Sequence, residues 1–102
     1  MIGIDLVHIP EFAVQMQNGG DTFLARAFSV DESANRDVDH LAGLWAAKEA
    51  TTKAAGIEPG RWQDIILRMQ PPMSATVDGI VFEISISHHG DYAVAVASGP
   101  VL

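Results

Sequence analysis

The sequence predicts an α+β fold in which a mostly antiparallel sheet packs against one long central helix. The first observation is a run of good helix formers from His40 to Gly56. The second is the alternation of apolar with other residues at positions 2–7 and in several runs after residue 62. The third is Asp78-Gly79 between two such runs, the strongest short signal for a hairpin. Helices in the first half and strands in the second are typical of α+β domains, and we expect the N-terminal strand to join the sheet.

The N-terminal strand carries a carboxylate in its middle. Its two faces are Ile2, Ile4 and Leu6 on one side and Gly3, Asp5 and Val7 on the other. A charge at Asp5 is costly unless it is paired or binds a cation, although an edge-strand aspartate that faces water is the ordinary alternative. Gly3 neighbours Asp5 on the same face and leaves space for a ligand or for another backbone.

Short helices are expected between this strand and the long helix. Pro10 suits the first turn of a helix, and Asn18-Gly19-Gly20 ends it. Asp21 is the expected cap of a further turn through Thr22–Ala27. Ser29-Val30-Asp31-Glu32 has the pattern of a capping box, which opens another short helix.

The long helix is bounded by Asp39, which we expect to cap its N-terminus, and by Gly56, which suits a left-handed position after the last turn. One of its faces has almost no side-chain bulk, so the helix axis is expected to lie close to a sheet. The residues of this small-residue stripe are Gly43, Ala46, Ala47, Ala50 and Ala54.

Glu49 and Lys53 lie one turn apart on another face of the long helix, at the border of the small-residue stripe. A Glu four residues before a Lys is commonly a solvent-exposed pair, and that is the ordinary interpretation of these two residues. Their position beside the stripe favours a location near the edge of the sheet. Lys48 points away from Glu49.

The second half of the chain is predicted to be strands and turns. Pro71-Pro72 breaks the first of these strands, and Asp78-Gly79 joins two others. The predicted order is a turn at Ile57–Gly60, a strand at Trp62–Met69, a strand at Met73–Val77, a strand at Ile80–Ser87, a turn at His88–Asp91 and a last strand at Tyr92–Ala97. Two of these strands, Ile80–Ser87 and Tyr92–Ala97, are apolar enough on both faces to suggest that neither face is left in water.

Length and composition bound the function. The 102 residues are expected to form a single domain, 1–102, around one core. Without cysteine there is no disulfide or thiolate chemistry, and no apolar run approaches the length of a membrane span. With no secretory signal pattern either, we expect a cytoplasmic protein that does not enter a membrane. The net charge of −7 argues against general nucleic-acid binding.

Four stretches, in order along the chain, resemble the motifs of 4′-phosphopantetheinyl transferases, specifically the small holo-acyl-carrier-protein synthase type. Trp45-Ala-Ala-Lys48-Glu49-Ala50-x-x-Lys53-Ala54 is similar to the WxxKEAxxKA signature of this family. The other matches are Gly3-Ile4-Asp5 in the N-terminal strand, Phe28-Ser29-x-x-Glu32 after the first helix, and Ser85-Ile86-Ser87-His88 followed by Asp91-Tyr92-Ala93-Val94-Ala95. The resemblance implies the fold of that family.

The resemblance implies transfer of phosphopantetheine from coenzyme A to a serine of an acyl carrier protein or carrier domain, with release of adenosine 3′,5′-bisphosphate. Such a reaction needs a divalent cation on the pyrophosphate, a positive charge near the developing oxyanion and a base for the serine proton. The family motifs assign Asp5 and Glu49 to magnesium, and Lys53 to the pyrophosphate beside Glu49. The base is either Glu49 or a metal-bound water.

The remaining coenzyme contacts follow from the same resemblance. His88 corresponds to the histidine that contacts the 3′-phosphate, although a histidine in a turn is more often simply solvated. His89, Lys48 and Pro72 are further expected contacts, with Pro72 matched to the proline of a Gly-x-Pro motif. The family also implies a homotrimer with active sites shared between subunits. The alternative is a catalytically inactive relative that binds nucleotide or serves as an interaction domain.

The chain departs from the family pattern at several positions. Leu44 stands where an arginine often precedes the signature aromatic, Gln70 replaces the glycine of Gly-x-Pro, and Glu11 lies where a basic residue often helps to hold the carrier protein. A hairpin at Asp78-Gly79 takes the place of a helix. An acidic enzyme that binds an acidic carrier protein needs a local basic patch, for which the candidates are Arg26, Arg36, Arg61 and Arg68.

Overall fold

The computed structural model describes residues 1–101 and has the expected α+β architecture. Two helices and five strands follow one another along the chain: β1 (Ile2–His8), α1 (Ile9–Ala27), α2 (Val38–Ala55), β2 (Ile66–Arg68), β3 (Ser74–Val77), β4 (Ile80–His89) and β5 (Tyr92–Ser98). Two short 3₁₀ helices lie at Glu32–Ala34 and Trp62–Asp64. β1 runs into α1 without an intervening loop.

The five strands form one antiparallel sheet in the order β1-β5-β4-β3-β2, so the N-terminal strand joins the sheet as predicted. Asp5 lies opposite Ala95, and Ala95 lies opposite Ile86. Because side chains alternate along a strand, Asp5 and Ile86 share the face of the sheet that α2 covers. We call this the inner face, and the opposite side, which neither helix covers, the outer face.

α2 is the centre of the molecule because it packs against both the sheet and α1. Its small-residue stripe is buried as predicted. At Gly3 of β1, even a methyl group would collide with the backbone of α2 and lie 2.7 Å from the nitrogen of Ala54. The space beside Asp5 is therefore filled by another backbone, which was one of the two alternatives for Gly3.

The C-terminal end of α2 agrees with the prediction and its N-terminal end does not. Gly56 has φ 66° and ψ 28°, the left-handed conformation that ends many helices. The N-cap is Asp37, whose side chain accepts a hydrogen bond from the backbone nitrogen of His40 at 3.4 Å. The assignment of this role to Asp39 was wrong, because Val38 packs against the core and brings the helix start forward.

The region before α2 contains the predicted breaks. Pro10 lies in the first turn of α1, and Gly20, with φ 56° and ψ −149°, interrupts the helical geometry near the position where the sequence predicted an end. The capping box is also present. The backbone nitrogen of Ser29 donates to Oε1 of Glu32 at 2.8 Å, and the backbone nitrogen of Glu32 donates to Oγ of Ser29 at 3.2 Å.

The strands after α2 agree in part with the prediction. Asp78 and Gly79 both have positive φ, 51° and 76°, as a tight hairpin between β3 and β4 requires. The predicted strand Trp62–Met69 is reduced to Ile66–Arg68, because Trp62–Asp64 forms a 3₁₀ helix. β4 continues to His89, so both histidines belong to the strand and the turn is formed by Gly90 and Asp91.

Neither α1 nor α2, the two long helices within residues 1–101, has a stretch sufficiently long and apolar to cross a membrane.

Candidate functional site

A cleft of about 360 Å³ lies between β1, the start of α1 and α2. Asp5 reaches it from the strand and Glu49 from α2, so the structure brings together the two carboxylates that the sequence singled out. They are separated by most of the first half of the chain and meet because α2 packs across β1. The other residues that line the cleft are Leu6, Val7, His8, Glu11, Phe12, Gln15 and Trp45.

Lys53 connects α2 to the strand at the edge of this cleft. Its ammonium nitrogen lies 3.0 Å from Oδ1 of Asp5 and donates to the carbonyl oxygen of Ile4 at 2.9 Å. The Lys53 side chain is 56% exposed and that of Asp5 is 17% exposed. The pair is therefore half in solvent, and its Coulomb attraction is largely screened. A ligand can reach the ammonium group without any change in the fold.

Glu49 has a partner that the sequence analysis missed. The indole nitrogen of Trp62 donates to Oε1 of Glu49 at 2.8 Å. Trp62 belongs to the 3₁₀ helix after α2, and its ring packs against that of Trp45 with 5.0 Å between centroids. No local pattern signals this contact, because it joins residues separated by a turn and an irregular segment.

The donor set of the cleft fits a magnesium ion that shares its coordination with a substrate. Within residues 1–101, Oδ2 of Asp5 and Oε2 of Glu49 take part in no hydrogen bond. The same residues contain no group of three or more His, Asp or Glu side chains arranged as a metal site. Magnesium is commonly held by one or two carboxylates while phosphate oxygens and water complete its octahedron. Asp5 and Glu49 provide that partial set.

Lys48 lies on a different side of α2 and is buried. Its ammonium nitrogen is 2.7 Å from Oε1 of Glu32 and donates to the carbonyl oxygens of Ala27 and Trp62 at 2.9 and 2.8 Å. The two charged side chains are 1% and 2% exposed. Burial lowers the pKa of Lys48 below its ordinary value, and the hydrogen bond and charge of Glu32 oppose this effect.

The expected contact between Lys48 and the coenzyme therefore has no support in this structure. All three ammonium hydrogens have partners in the interior, and the group does not line the cleft. The prediction that Lys48 points away from Glu49 is consistent with this placement. Glu32, the last residue of the Phe28-Ser29-x-x-Glu32 match, is the buried partner of Lys48.

The other coenzyme candidates lie elsewhere on the protomer. His88 is on the inner face, with its ring against Gly43 and Nε2 2.9 Å from the carbonyl oxygen of Asp39. Because β5 lies between β4 and β1, His88 is at least two strand spacings, about 10 Å, from the strand of Asp5. His89 and Pro72 line two shallow pockets whose strand residues, apart from Ile84, face outward.

His8 and Glu11 are cleft residues that the sequence analysis did not single out for this site. Nδ1 of His8 lies 3.5 Å from Oε1 of Glu11, and the His8 ring is 5.2 Å from that of Tyr92. Their proximity follows from the direct passage of β1 into α1 at Ile9. An acidic Glu11 at the start of a helix, next to the site, makes the cleft more negative.

Comparison with known proteins identifies the family. A family model described as the 4′-phosphopantetheinyl transferase superfamily matches residues 1–97. The chain belongs to this superfamily. It is 34% identical to the holo-[acyl-carrier-protein] synthase of Corynebacterium efficiens, across 93% of this chain and 89% of that protein. It is 38% identical to the synthase of the same name from Campylobacter curvus, across 95% and 97%. The chain is therefore a member of an enzyme family.

A solved structure supports the same assignment at the level of the fold. The holo-[acyl-carrier-protein] synthase of Helicobacter pylori, in complex with coenzyme A, superposes with a TM-score of 0.85. It is 29% identical in sequence, and the alignment covers 96% of this chain and 98% of that one. The fold and family that the motifs implied are thus confirmed.

Proposed function

We propose that this protein transfers the 4′-phosphopantetheine group of coenzyme A to a serine of an acyl carrier protein or carrier domain. The observation that carries the proposal is that Asp5 and Glu49 line one cleft and that Lys53 binds Asp5, in a member of this superfamily. The relatives named holo-[acyl-carrier-protein] synthase, one of them bound to coenzyme A, support this choice of substrates.

In the proposed reaction, the serine oxygen forms a bond to the phosphorus that carries the pantetheine arm. The bond from that phosphorus to the bridging pyrophosphate oxygen breaks, and adenosine 3′,5′-bisphosphate leaves with the electron pair. The serine proton passes to a base. Negative charge increases on the phosphate oxygens, so catalysis depends on positive charges placed before the reaction begins.

Asp5 and Glu49 are the residues that would hold magnesium, which neutralises pyrophosphate oxygens when it is bound. Lys53 supplies a mobile positive charge within reach of the same oxygens, since its present partners are one carboxylate and one carbonyl at the cleft edge. The base for the serine proton would be a carboxylate oxygen of Glu49 that the cation does not use, or a water bound at the magnesium site.

We place the 3′-phosphate of coenzyme A beside His88, whose exposed ring is presented at the end of β4. His89 and Pro72 are proposed as further contacts with the nucleotide part. These three residues do not line the cleft that contains Asp5 and Glu49 in the same protomer. Because His88 lies on the inner face and His89 on the outer face, we propose that the coenzyme lies between protomers.

An assembly is the natural source of such a shared site, and we propose a homotrimer. Its support is the outer face of β1, where Ile2, Ile4 and Leu6 are 74%, 59% and 63% exposed. These side chains continue onto Val94 and Val96 of β5, which are partly buried. An uncovered apolar surface of this kind is unusual for a monomer and typical of an interface between protomers.

The sequence placed part of this apolar outer face on the wrong strand. The outward residues of β4 include Glu83, Ser85 and Ser87, so this strand does not contribute the second apolar face that its sequence suggested. β1, together with β5, supplies the apolar surface. The proposed contact between protomers therefore centres on Ile4 and Leu6.

The basic residues available for an acidic carrier protein are few. Lys48, Lys53, Arg36 and Arg61 are paired with carboxylates in the fold. Arg26 and Arg68 are exposed and pair with no carboxylate within residues 1–101. We propose these two arginines as the first contacts with the carrier protein. An inactive relative that binds only the nucleotide is the second candidate, which the scarcity of free cations favours.

The proposal is tested by incubating the protein with coenzyme A, magnesium and an apo acyl carrier protein, and then weighing the carrier by mass spectrometry. We expect the mass of one phosphopantetheine to be added, and we expect a chelator to prevent the addition. A carrier that keeps its apo mass, across several carrier proteins, while coenzyme A still binds would establish the inactive relative instead.

Light scattering over a dilution series tests the assembly. We expect the mass of three chains in wild type and a smaller species in Ile4→Glu, in which a charge replaces the central apolar contact. Full activity at the mass of a single chain would contradict a site shared between protomers.

A further inference from the structure

Trp62 makes two separate contacts with consecutive residues of α2. Its indole nitrogen donates to Oε1 of Glu49 at 2.8 Å, and its carbonyl oxygen accepts from the ammonium group of Lys48 at 2.8 Å. Lys48 and Glu49 point to different sides of α2, so the two contacts fix both the backbone and the ring of Trp62. Trp62 is thus bound to α2 through both its backbone and its side chain.

The contact between the Trp62 carbonyl oxygen and Lys48 is well fixed because Lys48 has further partners in the interior. Its ammonium group is buried between Glu32 and the carbonyl oxygen of Ala27. A buried ammonium group that left this position would lose a charged partner and two carbonyls without gaining water. The carbonyl oxygen of Trp62 is therefore bound to a buried ammonium group that is costly to displace.

The rest of the 3₁₀ helix is fastened independently. The side chain of Gln63 donates to the carbonyl oxygen of Phe28 at 2.8 Å and also to that of Ala25. Arg61 binds Asp64 and Asp78 through its guanidinium group. The Trp62 ring packs against Trp45. The indole nitrogen is consequently held in place before any ligand arrives.

We propose that Trp62 is a positioning residue that holds the carboxylate of Glu49 in the orientation needed for magnesium. The indole occupies Oε1 and leaves Oε2 for the cation, which restricts a side chain that otherwise has several rotamers. This inference rests on the proposed function, in which Glu49 is a metal ligand. Partners of metal ligands at this distance commonly change metal affinity or activity by about 10–100-fold when they are removed.

Under this proposal Lys48 acts through the same residue. Lys48 and Glu49 are neighbours in the sequence. The same turn of α2 therefore carries the Glu49 carboxylate and the lysine that binds the backbone of Trp62, which orients that carboxylate. The role differs from a coenzyme contact, which the burial of Lys48 does not support.

The first test is direct metal binding by Trp62→Phe, which removes the indole N–H and keeps an aromatic ring against Trp45. Manganese serves as the probe, and electron paramagnetic resonance measures the free ion in the presence of coenzyme A. We expect the dissociation constant for manganese to rise by about 10-fold. Gln63→Met is the matched control, since it loosens the same 3₁₀ helix without touching Glu49. An unchanged manganese affinity in Trp62→Phe, or an equal loss in both variants, overturns the proposal.

The second test follows the indole itself without any metal. The chain has two tryptophans, so a nitrogen–proton correlation spectrum shows two indole signals, and Trp62→Phe identifies one of them. We expect Glu49→Ala to move the Trp62 signal and to speed its exchange with solvent, and Glu58→Ala to leave it in place. A Trp62 signal that does not respond to Glu49→Ala disproves the contact in solution.

The two proposals fail in different ways. If wild type transfers phosphopantetheine but Trp62→Phe binds manganese as wild type does, the proposed function stands and the positioning role falls. If wild type neither transfers nor binds manganese, both proposals fall, even where the signal of Trp62 responds to Glu49→Ala.

Discussion

α2 carries two lysines that form ion pairs of nearly equal length in opposite surroundings. Lys48 lies 2.7 Å from Glu32, and both side chains are almost completely buried. Lys53 lies 3.0 Å from Asp5, and more than half of its side chain is in solvent. The two lysines belong to one signature in the sequence, but the structure gives them different surroundings and therefore different tasks.

The difference shows that burial, and not the distance between charges, decides what an ion pair does. A buried pair is expensive to form and more expensive to break, because the remaining partner keeps its charge away from water. A solvated pair contributes little to folding and exchanges its partner at low cost. Lys48 is thus committed to the structure, whereas the exposed Lys53 is available for the phosphate contact that we propose.

The largest expected effect is the loss of transfer rate when either of the carboxylates near Lys53 is removed. We expect Asp5→Ala and Glu49→Ala each to lower the rate of transfer by about 10³-fold, because each removes a charge that would hold the cation. The unfolding temperature should change little. Glu58→Ala, an exposed carboxylate outside the cleft, is the control. Near-normal transfer by either variant at saturating magnesium would contradict the assignment of that residue as a ligand.

Replacing Lys53 should separate activity from stability. We expect Lys53→Met to lower kcat by about 10²–10³-fold through the loss of a positive charge at the pyrophosphate. Its free energy of unfolding should fall by no more than about 1 kcal/mol, since the pair with Asp5 is solvated. The measurements are steady-state kinetics and urea unfolding. The comparison is with Lys48→Met, whose kcat is calculated per folded molecule. If kcat falls no further in Lys53→Met than in Lys48→Met, the two lysines do not differ as proposed.

Replacing Lys48 should lower stability much more than it lowers the kcat of the folded protein. We expect Lys48→Met to lower the free energy of unfolding by about 3–5 kcal/mol, because Glu32 then keeps an unpaired buried charge. The control is the double variant Glu32→Gln/Lys48→Met, which removes that charge and keeps the acceptor for the backbone of Ser29. It should be more stable than Lys48→Met alone. A cost below about 1 kcal/mol for Lys48→Met would show that water reaches the pair.

A smaller effect is expected at His88, which lies on the inner face but away from both lysines. We expect His88→Ala to weaken the binding of coenzyme A by about 10-fold, the size of one hydrogen bond to a charged group. Binding of dephospho-coenzyme A should be nearly unchanged. Calorimetric titration with both ligands measures the difference. Equal losses for the two ligands would remove the 3′-phosphate from the contacts of His88.

The smallest effect is a pH dependence that we expect from the buried Lys48. The pKa of Lys48 is lowered from 10.5 by burial, so the folded state releases this proton before the unfolded state does. Stability from this group therefore increases as the pH rises through the interval just below 10.5. The difference in unfolding free energy between wild type and Lys48→Met should grow over that interval. If the difference in unfolding free energy shrinks over that interval, the pKa of Lys48 is raised in the folded state and not lowered.

The sequence predicted the parts of the fold that depend on neighbours in the chain. Gly56 ends α2, the small-residue stripe faces the sheet, and Asp78-Gly79 makes a hairpin, because each depends on local conformation or periodicity. The N-cap was misplaced because Asp37 and Asp39 are equally good caps, and only the packing of Val38 distinguishes them.

Long-range contacts set the limit of what the sequence predicted about the site. The motifs named Asp5, Glu49 and Lys53, and the packing of α2 on β1 brings them together. The contact of Trp62 with Glu49 and the burial of Lys48 against Glu32 could not be predicted, since both arise where separate segments meet. The apolar run that contains Trp62 reads as a strand until those contacts are known.

The close approach of β1 and α2 at Gly3 has a consequence for how a ligand enters. Backbone touches backbone there, and β1 leads directly into α1, so the walls of the cleft belong to closely packed and directly connected elements. Under the proposed function, the exposed Lys53 exchanges its contacts with Asp5 and with the carbonyl oxygen of Ile4 for the incoming phosphate. An exposed side chain changes rotamer in picoseconds to nanoseconds, far faster than domains close. The proposed function therefore requires only a rearrangement of the Lys53 side chain after the ligand has diffused to the cleft.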